Sequence, residues 1–166
     1  MKPIPDHLRT GLKIVFIGFN PSIQSSESGH HFSNPNNRFW KIIHESGLTP
    51  RLYNTREDQD LLRLGYGLTN IVERPTKEAL EITREEYEEG RVILQKKVKQ
   101  YQPKVACFVG KGVYQEFTKT KKIAWGVQPI SVVEGVIDFV APSSSGLVRM
   151  RISDIIDIYK KLNEYI

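Results

Sequence analysis

The chain has 166 residues, 39% hydrophobic and 26% charged, with 24 Lys and Arg against 19 Asp and Glu for a net charge of +5. This is a globular composition, long enough to bury a core as one domain over 1–166, and its basic excess suits a polyanionic partner such as nucleic acid. No apolar run approaches the roughly 18 residues of a membrane span, and the lone Cys107 excludes an internal disulfide or a four-cysteine zinc or iron–sulfur site. The opening stretch MKPIPDHLRTG lacks the apolar core of a signal peptide, so a cytoplasmic monomer is expected, nucleoid-associated in a bacterial or archaeal cell.

In chain order, Ile14 to Ile17 is a short apolar run of the kind a doubly buried strand requires. It breaks at Gly18-Phe19-Asn20-Pro21-Ser22 into a polar segment rich in Ser, Gly, His and Asn. Asn36 or Asn37 can cap a helix running to Ser46, with Phe39, Trp40 and Ile43 inward and Gly47 ending it. A short helix around Asp58 to Leu64 precedes a strand over Gly67 to Val72. The strongest helix signal spans Thr83 to Gln100, with a Thr83/Glu86 capping box, Glu early and Lys late, the charges reading as a solvated face.

Val105 to Val109 reads as a second buried strand, with Cys107 as a small core residue, and a helix over Val113 to Lys119 follows. Ile130 to Val133 and Val136 to Val140 read as two further strands joined at Glu134-Gly135. Ser153 is placed to cap a terminal amphipathic helix carrying Ile155, Ile156, Tyr159, Leu162 and Tyr165. Strands alternating with helices predict an α/β fold with a mainly parallel sheet of four to five strands, covered on both sides.

Three strands thus end in polar, Pro-containing loops: at Asn20, at Asn70 to Thr76 and at Pro142 to Leu147. In a parallel sheet these open onto one edge, where α/β folds bind ligands. They offer carboxamides, hydroxyls, the imidazoles of His30 and His31, and Phe32. No carboxylate pair, Gly-x-Ser-x-Gly elbow or His-Glu-x-x-His is present at these strand ends. Adjacent histidines without acidic or Cys neighbours do not suggest a metal site, and no metal or cofactor is expected. Carboxamides with an aromatic plate fit the edge and face of a nucleobase. Asn70 can equally be a turn residue, and Phe32 a loop anchor to the core.

The blocks Gly18-Phe19-Asn20-Pro21, Gly29-His30-His31-Phe32 and Asn37-Arg38-Phe39-Trp40 resemble the mismatch-specific uracil/thymine-DNA glycosylases, as does Leu68-Thr69-Asn70-Ile71-Val72-Glu73-Arg74-Pro75-Thr76. Gly90-Arg91, Tyr101-Gln102-Pro103, Gly110-Lys111 and Pro142-Ser143-Ser144-Ser145 follow in family order, so the resemblance extends from Lys13 onward. It implies a three-layer α/β/α sandwich and removal of a mispaired or damaged base from double-stranded DNA. By that resemblance Asn20 holds the hydrolytic water, Thr76 shares the water site, and Phe32 stacks on the flipped base. Gly18, Phe19, Ser25, His31, Asn37 and Asn70 line the base pocket. Ser143, Ser144, Ser145, Gly146 and Leu147 enter the duplex with Leu147 as wedge; apart from the resemblance, salt-sensitive DNA binding is expected through basic groups such as Lys111, Arg149 and Arg151. Ser22 departs from the family's Gly, and Ala141 from its Asn, Met or His.

Base chemistry on duplex DNA requires flipping, which costs least at a U·G or T·G mismatch. An amide cannot take up a proton near neutral pH, so Asn20 can only orient water. Catalysis then depends on stabilising the departing base as an anion, with uracil leaving faster than thymine. No lysine nucleophile is expected near Asn20, so no strand cleavage is either. The competing expectations are a damaged-DNA binding module without catalysis, a glycosylase acting mainly on hypoxanthine or other modified bases, and a hydrolase of free nucleosides.

Overall fold

Five short strands form the centre of the molecule in the computed structural model, which describes residues 2–166. They are β1 (Ile14–Gly18), β2 (Tyr66–Asn70), β3 (Val105–Val109), β4 (Gly126–Val127) and β5 (Ile137–Ala141), in the order β2-β1-β3-β5-β4. β1 pairs in parallel with β2 and β3, and β3 with β5, while β4 is an antiparallel edge. The helices are α1 (Ile23–Ser28), α2 (Phe39–Glu45), α3 (Arg84–Tyr101), α4 (Lys111–Thr118) and α5 (Ile152–Lys160), with 3-10 segments at Thr55–Leu64, Ala79–Glu81 and Lys161–Tyr165.

Side chains alternate across a strand, and β1 divides its residues accordingly. Ile14 and Phe16 join Phe39, Ile43, Phe139, Ile155 and Tyr159 in one core, against α2 and α5. Val15 and Ile17 join Leu94, Val98, Phe108, Val113 and Phe117 in the other, against α3 and α4. Two cores on opposite faces of one sheet make the three-layer α/β/α sandwich anticipated from the strand–helix alternation. Cys107 is fully buried in the first core, and burial pushes its thiol far above the ordinary range.

The differences from expectation have local causes. Ile130 to Val133 is not a strand: Val133 is buried, but the stretch is an irregular loop. The edge is formed instead by the two residues of β4, too short to show an alternating pattern. Ser153 lies inside α5, whose N-cap is Arg151. The polar stretch after Pro21 contains α1, capped by the Ser22 side chain accepting from Ser25 N. The N-cap of α2 is Arg38 rather than Asn36 or Asn37 and carries no side-chain cap; Asn37 lies one residue earlier, its Oδ1 accepting from Phe39 N at 3.0 Å. The charges of α3 are more than a solvated face, since Glu86 pairs with Arg74 and Lys97 with Asp6.

Candidate functional site

The carboxyl ends of β1, β2, β3 and β5 open on one edge, and a cavity of about 280 Å³ lies there. Its walls include Gly18, Phe19, Asn20, Ser25, His31, Phe32, Asn37, Asn70, Thr76, Ser143, Ser144, Ser145 and Leu147. The three polar loops therefore converge. The first two are joined through the backbone: Ile71 N donates to Gly18 O, Val72 N to Phe19 O and Thr76 N to Pro21 O.

Asn20 is held from one side of its amide. Its Nδ2 donates to the Arg74 carbonyl and to Thr76 Oγ1, both at 2.8 Å. Thr76 Oγ1 passes its own proton to the Glu78 carbonyl at 2.7 Å, which fixes its lone pair toward Asn20. Both amide protons are thus spent on protein. Among the described residues nothing donates to Asn20 Oδ1, the one strong acceptor left on that side chain. Thr76 is a positioning residue on this geometry.

Asn70 ends β2 with its carboxamide over Gly18: a Cβ at Gly18 would meet Asn70 Oδ1 at 2.8 Å. The carboxamide has no hydrogen-bond partner among the described residues, so donor and acceptor are both available. Phe32, at φ 54°, lies parallel to Phe39 with ring centroids 3.9 Å apart. The anchor and plate readings of Phe32 are compatible, because Phe39 covers one face while the ring still borders the cavity. The Phe19 ring packs near Tyr87 and fills the space beside Gly112, so that side chain belongs to the second core. Ser25 Oγ accepts from Ser33 N and Ser22 Oγ, closing the loop around α1.

His31 is buried and locked, its N donating to Asp58 Oδ2 at 2.8 Å and its Nε2 lying 2.9 Å from the Pro5 carbonyl. Burial lowers its pKa below 6.5, keeping the ring neutral. The histidine pair therefore does have an acidic neighbour, since His30 Nδ1 is 3.0 Å from Asp58 Oδ1. Asp58 lies 27 positions beyond His31, and no local spacing connects the two.

On the opposite rim, Arg38 N donates to Ser144 O and the Arg38 guanidinium to Ser145 O. Ser143 Oγ accepts from Ser145 N, and Ser145 Oγ from Leu147 N. Gly146 packs so closely that a Cβ there would sit 2.6 Å from Asn36 O. The loop holds its shape while Leu147 projects, 92% exposed. Leu147 also borders a second groove with Asn34, Asn36, Asn37, Arg38, Ser145 and Gly146, so it forms a wall between two recesses. Lys111 is exposed at the start of α4 with its ammonium 4.3 Å from the Trp125 ring centre, and Arg149 is exposed two residues past Leu147. Neither lines the cavity.

Among the described lining residues no carboxylate is present, and the one full charge is Lys77. Lys77 is a cavity residue that sequence reasoning missed. Lys77 follows directly on Thr76, and that adjacency was the available signal. Ile4, Asn34, Ala79 and Val109 also line the cavity. Asn34 falls between Phe32 and Asn37, whereas nothing in the sequence points to Ile4.

The uracil DNA glycosylase superfamily matches this sequence over residues 5–166. The chain belongs to that superfamily. A solved structure of a candidate uracil DNA glycosylase from Methanosarcina acetivorans is similar to it at 20% identity, over 98% of each chain, with a TM-score of 0.59. At that identity the likeness bears on the fold, and it agrees with the superfamily's three-layer sandwich. The superfamily match covers every polar loop described above, from Gly18 to Leu147.

Proposed function

We propose that this protein is a monofunctional DNA glycosylase that hydrolyses the N-glycosidic bond of uracil mispaired with guanine in double-stranded DNA, its range extending to thymine or modified pyrimidines. The observation that carries this reading is Asn20, whose amide protons are both tied to protein while Oδ1 is left to hold a water. Superfamily membership supports a DNA substrate, and the net charge of +5 suits it.

A cavity of about 280 Å³ matches a single base rather than a stacked pair, so the nucleotide has to leave the helix. Leu147 fills the gap in the stack, and the groove on its far side takes the nucleotide left behind. In the cavity the base lies against the open side of Phe32, with its edge toward the Asn70 carboxamide. Water held by Asn20 Oδ1 attacks the sugar carbon as the base departs with the bonding electrons, and the proton that the water loses passes to solvent and on to the released base anion. With no carboxylate in the wall to take a proton, the reaction depends on stabilising the leaving anion. The donors on the cavity wall that would do so are Asn70 Nδ2 and the one charged lining residue, Lys77.

Release of free base from a U·G duplex, followed by alkaline cleavage at the abasic site, tests the reading. Asn20→Ala should lower excision by roughly a hundredfold or more while duplex binding stays within a few-fold. Binding without release of any base would leave a damage-recognition module and reject the glycosylase. Borohydride should trap no enzyme–DNA adduct, and a trapped adduct would make Lys77 a nucleophile and end the monofunctional assignment. The same assay with thymine, hypoxanthine and oxidised cytosines opposite guanine ranks the substrates.

A further inference from the structure

Behind the cavity wall, three buried groups with unshared electron pairs converge. His7, His31 and Asp58 each present a ligand atom within 4.8 Å of the other two. Their exposures are 7%, 3% and 1%. They come from separate pieces of chain: the N-terminal arm that bridges to Leu68 of β2, the loop after α1, and the 3-10 segment Thr55–Leu64. The His7 and His31 rings meet edge to face with centroids 4.9 Å apart.

The hydrogen bonds leave electron pairs on His31 and Asp58, and one ring nitrogen of His7 stands without a partner. A carbonyl can only accept, so His31 Nε2 carries the ring proton to Pro5 O and Nδ1 carries the lone pair. A metal-bound imidazole characteristically donates its other N–H in this way. His7 Nδ1 is buried with no hydrogen-bond partner among the described residues, a rare condition for such an atom. Asp58 Oδ1 accepts from Gln59 N and faces His30 Nδ1, while Oδ2 accepts from His31 N. Oδ2 therefore retains an electron pair to give.

We infer that His7, His31 and Asp58 form a three-ligand site for a borderline divalent transition metal, zinc foremost, with a fourth position for water. Two imidazoles and one carboxylate disfavour magnesium and calcium, which take oxygen ligands, and the absence of thiolate disfavours soft cuprous ion. Zinc holds N and O ligands at about 2.0–2.2 Å, so the widest pair of ligand atoms closes by roughly 1–1.5 Å through side-chain torsions. The ion ties the N-terminal arm to the loop that supplies His31 and Phe32 to the cavity. It plays a positioning role and stands independently of the excision reading.

The test uses full-length protein stripped with a chelator and exchanged into metal-free buffer. Zn²⁺ is titrated against a chromophoric chelator, and Co²⁺ uptake is followed through its visible d–d bands. Wild type and His44→Ala should each bind one equivalent at micromolar affinity or tighter. His7→Ala should bind about tenfold more weakly or worse and lose the bands of a four-coordinate site. His7→Phe keeps the ring volume without a ligand and gives the same readout should His7→Ala fail to fold. No stoichiometric uptake by wild type, or uptake unchanged in a folded His7 variant, overturns the site.

Discussion

Arg74 grips Glu86 with two parallel hydrogen bonds, Nε to Oε2 at 2.8 Å and Nη2 to Oε1 at 2.9 Å, and the carbonyl of the same arginine orients the Asn20 amide. The orientation of Asn20 thus depends on α3, a helix outside the cavity. Glu86→Ala should reduce excision roughly tenfold by loosening the Arg74 carbonyl, with little change in duplex affinity. The pair also sets an acid limit. Hydrogen bonds from Arg74, then from Thr83 N, lower the Glu86 pKa from 4.5 to about 2. A depressed carboxyl stabilises the fold above its unfolded value, so this contribution is complete above pH 4.5 and disappears as pH falls toward about 2. Denaturation curves across that window should be steeper for wild type than for Glu86→Ala.

Thr76 tests positioning against contact. Thr76→Val keeps the shape but removes the oxygen that accepts from Asn20 and the proton that Glu78 O receives. Single-turnover excision should slow by about tenfold with Kd for duplex unchanged, and Thr76→Ser should restore it. A loss confined to binding would reject the role.

Leu147 presents its side chain to solvent on a loop braced by Ser143, Ser145 and Arg38. Leu147→Ala removes the proposed wedge without disturbing the brace. Excision of a base-paired uracil should fall more than that of an unpaired one, because only the first needs the vacated stack filled. Equal losses on both substrates would count against insertion.

Gly90 is where α3 touches the end of β2. A Cβ there would run into the Ile71 carbonyl oxygen, whose peptide plane is fixed by Val72 N donating to Phe19 O. Ala favours a helix over Gly by about 1 kcal/mol, but overpacking against backbone costs roughly 2–3 kcal/mol. The clash wins, and Gly90→Ala should lower Tm by several degrees. An unchanged Tm would mean that α3 moves away freely.

The parts of this fold legible in the sequence were those with strong local signals. β1 and β3 are continuous apolar runs, and α3 carries its own capping box. The loops at Asn20, Thr76 and Ser143 were legible as breaks in that pattern, and parallel strands brought them together. What was hidden depends on distance in the chain or on backbone atoms. Nothing near His31 announces Asp58, and no side-chain pattern marks the Arg74 carbonyl as the partner of Asn20. Ile130 to Val133 has the composition of a strand, yet the edge place beside β5 went to Gly126–Val127. Tertiary fit decided between two weak local preferences.

The main-chain bonds that stitch Gly18, Phe19 and Pro21 to Ile71, Val72 and Thr76 prolong the sheet's own ladder beyond its last paired residues. The pocket floor therefore shares the rigidity of the strands and has no hinge of its own. On the proposed function, any distortion needed to bring a target atom beside Asn20 then falls to the incoming polymer rather than to closure of this floor.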